Sequence, residues 1–147
     1  MTHREPPYPE HFRKSVEPGC CRWCGLPIDK AQEPRAQCWH KACVKEYRII
    51  AFPDFGKEAC AERSGYKCAI CGQEFDHIQV WHQCELDHII PLAICPRELR
   101  YWGLENLQIL CHDCHARKTA LDIWRIKRFR ATAAGEQVNL FERKESA

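Results

Sequence analysis

The chain has 147 residues, 12 cysteines, 8 histidines and a formal net charge of +2. That length suits one domain or two very small ones and excludes a large multi-layer enzyme. Hydrophobic residues at 45% and charged residues at 29% place it among neither disordered nor fibrous chains. No apolar run approaches the roughly 20 residues of a membrane-spanning helix. The start, Met1 to Pro7, lacks the apolar core of a secretion signal, so an intracellular protein is expected, cytoplasmic or nucleoid-associated and not secreted.

In chain order, residues 1–17 carry three of the nine prolines and little periodicity, and read as a flexible arm able to order on a partner. Residues 18–52 form a first cysteine-rich unit ending in a helical stretch from Trp39 to Tyr47. Pro53 and Gly56 then suggest a connector, followed by a short helix over 57–64 closed by Gly65. A second unit, 57–131, contains a strand-like run over 83–92 stopped at Pro91, a loop, the apolar run 107–110, and a long helix over 112–130. Ala116, Ala120, Ile123 and Trp124 recur along that helix at helical spacing and mark its expected apolar side. Residues 132–147 read as a flexible polar tail.

An intracellular setting makes structural disulfides rare, so the abundance of Cys and His points to metal. In the first unit Cys21 and Cys24 are followed, after fifteen intervening residues, by His40 and Cys43. Two residues between ligands form a tight turn, and a His-x₂-Cys pair falls on one side of a helix start. Four protein ligands close a tetrahedral zinc site, which then stabilises and does not catalyse. Cys20 and Cys38 are neighbours able to substitute. The pattern resembles treble-clef or LIM-type fingers, whose partners are nucleic acid or protein.

Cys68 and Cys71 open a second knuckle, and Cys111 and Cys114 supply the matching pair. The 39 residues between Cys71 and Cys111 exceed the ~15–20 of a zinc ribbon, so something is inserted. The insert carries Leu86-Asp87-His88-Ile89-Ile90-Pro91 and Glu105-Asn106-Leu107-Gln108, and the closing pair runs into His115-Ala116-Arg117-Lys118. Asp87-His88-x₂-Pro91, Asn106-Leu107-Gln108-x₂-Cys111 and Cys111-x₂-Cys114-His115-x₂-Lys118, in that order, resemble the HNH endonucleases, which have a ββα-metal fold. The resemblance covers about half the chain. It implies that His88 is the general base, that Asp87 and His115 bind a catalytic divalent ion, Mg²⁺ or Mn²⁺, and that Asn106 braces the loop orienting the base. It also implies that Cys68, Cys71, Cys111 and Cys114 hold a structural zinc. The expected fold is therefore a small zinc-stabilised α+β chain: a treble-clef-like finger, then an HNH core on a Cys₄ frame. A finger of this kind just upstream of an HNH core is also similar to the nuclease portion of a eukaryotic fork-remodelling helicase, and a stand-alone phage-type or bacterial nuclease is equally compatible.

The residue types suit that chemistry in their own right. Phosphodiester hydrolysis needs an activated water and a Lewis acid, and a His titrating near ~6.5 accepts a proton at neutral pH. Two protein ligands, Asp87 and His115, leave coordination positions for phosphate and water. Adjacent strand residues point to opposite sides, so Asp87 and His88 are expected to engage the metal and the water from different directions. Between 115 and 130 six Lys or Arg stand against one Asp, and Arg117, Lys118, Arg125, Lys127 and Arg128 are expected to contact DNA phosphates. With both zinc sites filled by thiolates the whole chain falls to about −1, so DNA binding would come from this local patch. His112, His77 and His82 read as surface, and Trp23, Trp39, Trp81 and Trp102 as packing. Cys60, Cys84 and Cys95 read as buried free thiols. The rival reading is a catalytically silent zinc-finger DNA-binding or adaptor module.

Overall fold

The computed structural model describes residues 5–13 and 16–134. The expected tail lies outside the described residues except for its first three positions, of which Thr132 and Ala133 continue a helix and Ala134 caps it. The elements run α1 (Glu10–Arg13), α2 (Lys41–Ala51), α3 (Pro53–Ser64), α4 (Gln79–Gln83), β1 (Cys84–His88), β2 (Leu107–Cys111) and α5 (His112–Ala133), with two 3₁₀ turns, Leu99–Trp102 and Leu104–Asn106, ahead of β2. The two strands pair antiparallel, Cys84 opposite Cys111 and His88 opposite Leu107. This is a small α+β chain with one Cys/His cluster ahead of the hairpin and one beneath it.

The hairpin separates two chemistries by simple alternation. Cys84, Leu86, Leu107 and Ile109 share one face, which meets α3. The other face presents Glu85, Asp87, Gln108 and Leu110 to α5. Ile109, Leu110, Val80, Cys84 and Cys60 are fully buried and form the centre of the core. Gly56 lies inside α3, not in a connector: a Cβ there would sit 3.1 Å from Leu86 Cδ2 and 3.2 Å from the Ile49 carbonyl, so the bare backbone is what lets α3 lie against β1. Pro53, likewise expected to break the chain, occupies the first turn of α3, where its missing N–H costs nothing. The break between α2 and α3 thus shrinks to Phe52, and Ile49 of α2 joins the core of the second unit. Arg63 secures the far end of α3 by donating to the carbonyls of Leu104, at 2.5 Å, and Leu107.

The first unit has its own aromatic core. Trp23 is buried, and its indole N–H donates to Glu46 at 2.8 Å. Part of the proline-rich arm belongs to this core: Tyr8 lies 6.0 Å and Phe12 5.7 Å from the Trp23 ring, centre to centre. Aromatic burial, which proline content conceals, orders that stretch.

On α5 the expected apolar side is not the buried one. Ala116, Ala120, Ile123 and Trp124 are exposed, Trp124 by 55%, whereas Cys114, Lys118 and Asp122 are buried. The polar face of the hairpin is the cause: a helix lying over Asp87 and Gln108 gains more from matching their charge and hydrogen bonds than from covering them with Trp124.

Candidate metal centres and hairpin site

Each knuckle is a short bridged loop. Cys21 N–H donates to the Leu26 carbonyl and Gly25 N–H to the Cys21 carbonyl, both at 2.8 Å; Cys68 and Gly72 repeat the pattern at 2.8 and 2.9 Å. Gly25 and Gly72 both take φ of 74°, a left-handed conformation that a side chain resists, which explains a Gly after each Cys-x₂-Cys.

In each cluster the four ligand atoms lie within 4.8 Å of one another: Cys21, Cys24, His40 and Cys43 in the first, Cys68, Cys71, Cys111 and Cys114 in the second. A tetrahedral zinc with bonds of about 2.3 Å to sulfur holds its sulfurs about 3.8 Å apart. Cys71 Sγ and Cys111 Sγ are 3.7 Å apart, matching that edge and far beyond a disulfide. In the first cluster His40 Nδ1 lies 3.3 Å from Cys24 Sγ and 3.8 Å from Cys43 Sγ. Its Nε2 sits 3.2 Å from the Pro27 carbonyl, which only accepts, so Nε2 carries the proton and Nδ1 is the ligand atom. Both donor sets fit zinc. Cys20 and Cys38 stand outside the first cluster, half-buried and exposed.

The thiols are tuned by main-chain amides. Burial works to raise Cys68, but N–H groups of Cys71, Cys111 and Ile70 outweigh it and bring it down to about 6. Burial and the neighbouring sulfurs push Cys114 up to about 12. The first cluster repeats the contrast: burial raises Cys21, yet amides of Cys24, His40 and Trp23 bring it down to about 6, while burial and adjacent thiols push Cys43 up to about 12. A divalent cation removes the repulsion that keeps all four from ionising together.

Three residues of the motif, Asp87, His88 and Asn106, meet at one end of the hairpin. Asp87 and His88 close β1, and Asn106 precedes β2. Asn106 is 6% exposed and uses its whole side-chain amide: Oδ1 accepts from Ile90 N–H at 2.9 Å, and Nδ2 donates to the Ile90 carbonyl at 3.0 Å and the Tyr101 carbonyl at 2.9 Å. The loop after His88 is therefore tied back to the start of β2 at both ends. Asp87 Oδ2 accepts from Gln108 Nε2 at 2.8 Å and pairs with Lys118 Nζ at 2.9 Å. Lys118 also donates to the His88 carbonyl at 2.8 Å and to Asp122.

His115 lies half-buried in the first turn of α5, one residue after the zinc-cluster Cys114. It is three positions before Lys118, hence on the same side of the helix one turn earlier. Since Lys118 reaches Asp87 and His88, that side is the one facing β1. Asp87 Oδ1 and the His115 imidazole have no hydrogen-bond partner among the described residues, and a carboxylate oxygen with an imidazole nitrogen is a donor pair for a divalent cation; neither belongs to a group of three or more ligating side chains among the described residues.

Of the residues expected on phosphates, Lys118 is misplaced: 8% exposed and paired with two carboxylates, it is no surface contact. Arg117 is exposed but donates to Cys114 Sγ at 3.2 Å. Arg125 stands 3.4 Å from Asp122, Lys127 is exposed, and Arg128 lies 5.2 Å over the Trp124 ring. His112 is exposed beside Glu85, as expected, and Cys60 and Cys84 are buried thiols, whereas Cys95 is only partly buried. Trp81, expected in packing, is 41% exposed under Lys57. Sequence reasoning assigned no role to Gln108 or Asp122. The i,i+4 spacing of Lys118 and Asp122 was the available signal for the second; strand register alone reveals the first.

Residues 68–121 match the family model described as HNH endonuclease. The chain thus carries an HNH region, with a second Cys/His cluster compatible with zinc N-terminal to it. No curated protein and no solved structure matches the chain. No helix among the described residues is long and apolar enough to cross a membrane.

Proposed function

We propose that the protein is a metal-dependent HNH endonuclease that hydrolyses DNA phosphodiester bonds. His88 accepts a proton from the attacking water, and Asp87 with His115 holds one divalent ion, Mg²⁺ or Mn²⁺. The ion supplies Lewis acidity toward the phosphate. Asn106 does not react; it holds the loop that follows His88 through its bonds to Ile90 and Tyr101. Two structural zinc ions complete the set, the first on Cys21, Cys24, His40 and Cys43, the second on Cys68, Cys71, Cys111 and Cys114.

The observation that carries this reading is the junction at Cys114 and His115. The frame that gathers four thiols also sets the first turn of α5, so forming the cluster delivers His115 to the side of the helix facing Asp87. Exposed Lys127 and half-buried Arg128, further along the same helix, suit phosphate contact.

The deciding experiment incubates zinc-loaded protein with supercoiled plasmid and Mg²⁺ or Mn²⁺. Nicking by wild type and none by His88→Ala supports the reading. Absence of cutting with every metal, or equal cutting by the variant, rejects it in favour of a non-catalytic DNA-binding or adaptor module.

A further inference from the structure

Lys118 and Asp122 belong to neither zinc cluster, and each is 8% exposed. A buried ammonium is tolerated only when its protons and its charge are both matched. Lys118 meets that condition with three acceptors: Asp87 Oδ2 at 2.9 Å, the His88 carbonyl at 2.8 Å, and Asp122 Oδ2. One cation thus grips the side chain of Asp87 and the main chain of His88 together. With Gln108 also on Oδ2, the carboxylate is held from one oxygen and presents the other.

The charges are as informative as the distances. If Asp87 and Lys118 stood alone, the place for a divalent ion would be neutral. Asp122 adds a second carboxylate, and the group becomes net negative. Arg125 approaches Asp122 Oδ1 at 3.4 Å, but its side chain is 54% exposed and its charge is screened by water.

We propose that Lys118 and Asp122 are paired positioning residues for the divalent-ion site: Lys118 orients Asp87 and His88, and Asp122 restores the negative charge that Lys118 cancels. The proposal rests on the reading of Asp87 as a ligand of that ion. It requires the two residues to act on ion affinity in opposite directions, which a purely structural salt bridge would not do.

The test measures Mn²⁺ binding to the zinc-loaded full chain by the electron paramagnetic resonance of free Mn²⁺, with zinc content and thermal melting as checks on folding. Asp122→Asn leaves Lys118 opposed to Asp87 alone, and Mn²⁺ binding weakens on the order of tenfold. Lys118→Met removes the positive charge, so Mn²⁺ binds at least as tightly as in wild type, while plasmid turnover falls by about tenfold or more. Its DNA affinity keeps the wild-type dependence on salt.

Equal weakening of Mn²⁺ binding by both variants overturns the proposal, as does Asp122→Asn binding with wild-type affinity. A Lys118→Met variant that keeps its turnover but loses about one from the salt slope would make Lys118 a phosphate contact after all. If Lys118→Met loses zinc, the near-isosteric Asp122→Asn decides. Asp87→Ala separates the levels: Mn²⁺ binding unchanged in that variant rejects the ion site itself, whereas loss there with a null result at Asp122 rejects only the pairing.

Discussion

Asn106 and Ile90 exchange hydrogen bonds in both directions, the amide oxygen accepting at 2.9 Å and the amide nitrogen donating at 3.0 Å. The side chain behaves as a surrogate strand, continuing the pairing of β1 with β2 past the point where the loop departs. Asn106→Ala forfeits those two bonds and the third to Tyr101, and should cost about 2 kcal/mol of stability. Asn106→Asp is the sharper substitution, because it places a carboxylate against two carbonyls. Melting temperature and plasmid nicking should both fall, in the order wild type, Ala, Asp; an Asp variant as stable as wild type would contradict this geometry.

The two kinds of metal site should separate by mutation. Cys111→Ser removes one of four sulfurs gathered beneath the hairpin, and since binding energy at such a site is folding energy, the second unit should unfold and lose its zinc. Asp87→Ala should keep both zinc ions and abolish cleavage. Zinc analysis beside circular dichroism distinguishes the cases, and equal zinc loss in both would show the ligands to be wrongly partitioned.

Cys60 offers a test of burial by pH. It is 1% exposed in the core, and burial pushes its thiol from 9.0 to about 11. A raised pKa in the folded state means that the neutral thiol's contribution is complete below about pH 9 and is lost as pH climbs through 11. The difference in unfolding free energy between wild type and Cys60→Ala should therefore shrink over that window, by up to about 2 kcal/mol. Urea titrations at pH 8 and pH 10.5 measure it, and a difference that stays constant would refute the burial argument.

Cations toward the end of α5 should reveal themselves in salt dependence. Lys127 is exposed and Arg128 lies over Trp124, so the double variant Lys127→Ala, Arg128→Ala should bind DNA more weakly and lower the slope of log affinity against log salt by about two. Fluorescence anisotropy from 50 to 300 mM salt is a suitable readout, and an unchanged slope would move the DNA path off this helix.

The sequence by itself determined what is local. Two-residue spacings between cysteines, a glycine after each pair, and a His-x₂-Cys at a helix start specify two metal frames, since a few adjacent dihedrals decide those turns. The order Asp87-His88, Asn106, His115 marked the hairpin region by another route, its resemblance to the motif of the HNH endonucleases. Which side of α5 is buried was decided only by tertiary structure. Helical periodicity groups Ala116, Ala120, Ile123 and Trp124, but it carries no information about what the opposing strand presents. That strand presents Asp87, and so Lys118 and Asp122 turn inward while Trp124 turns out. A lysine that reads as a phosphate contact in one dimension becomes, once β1 lies across it, the cation that holds a carboxylate in place.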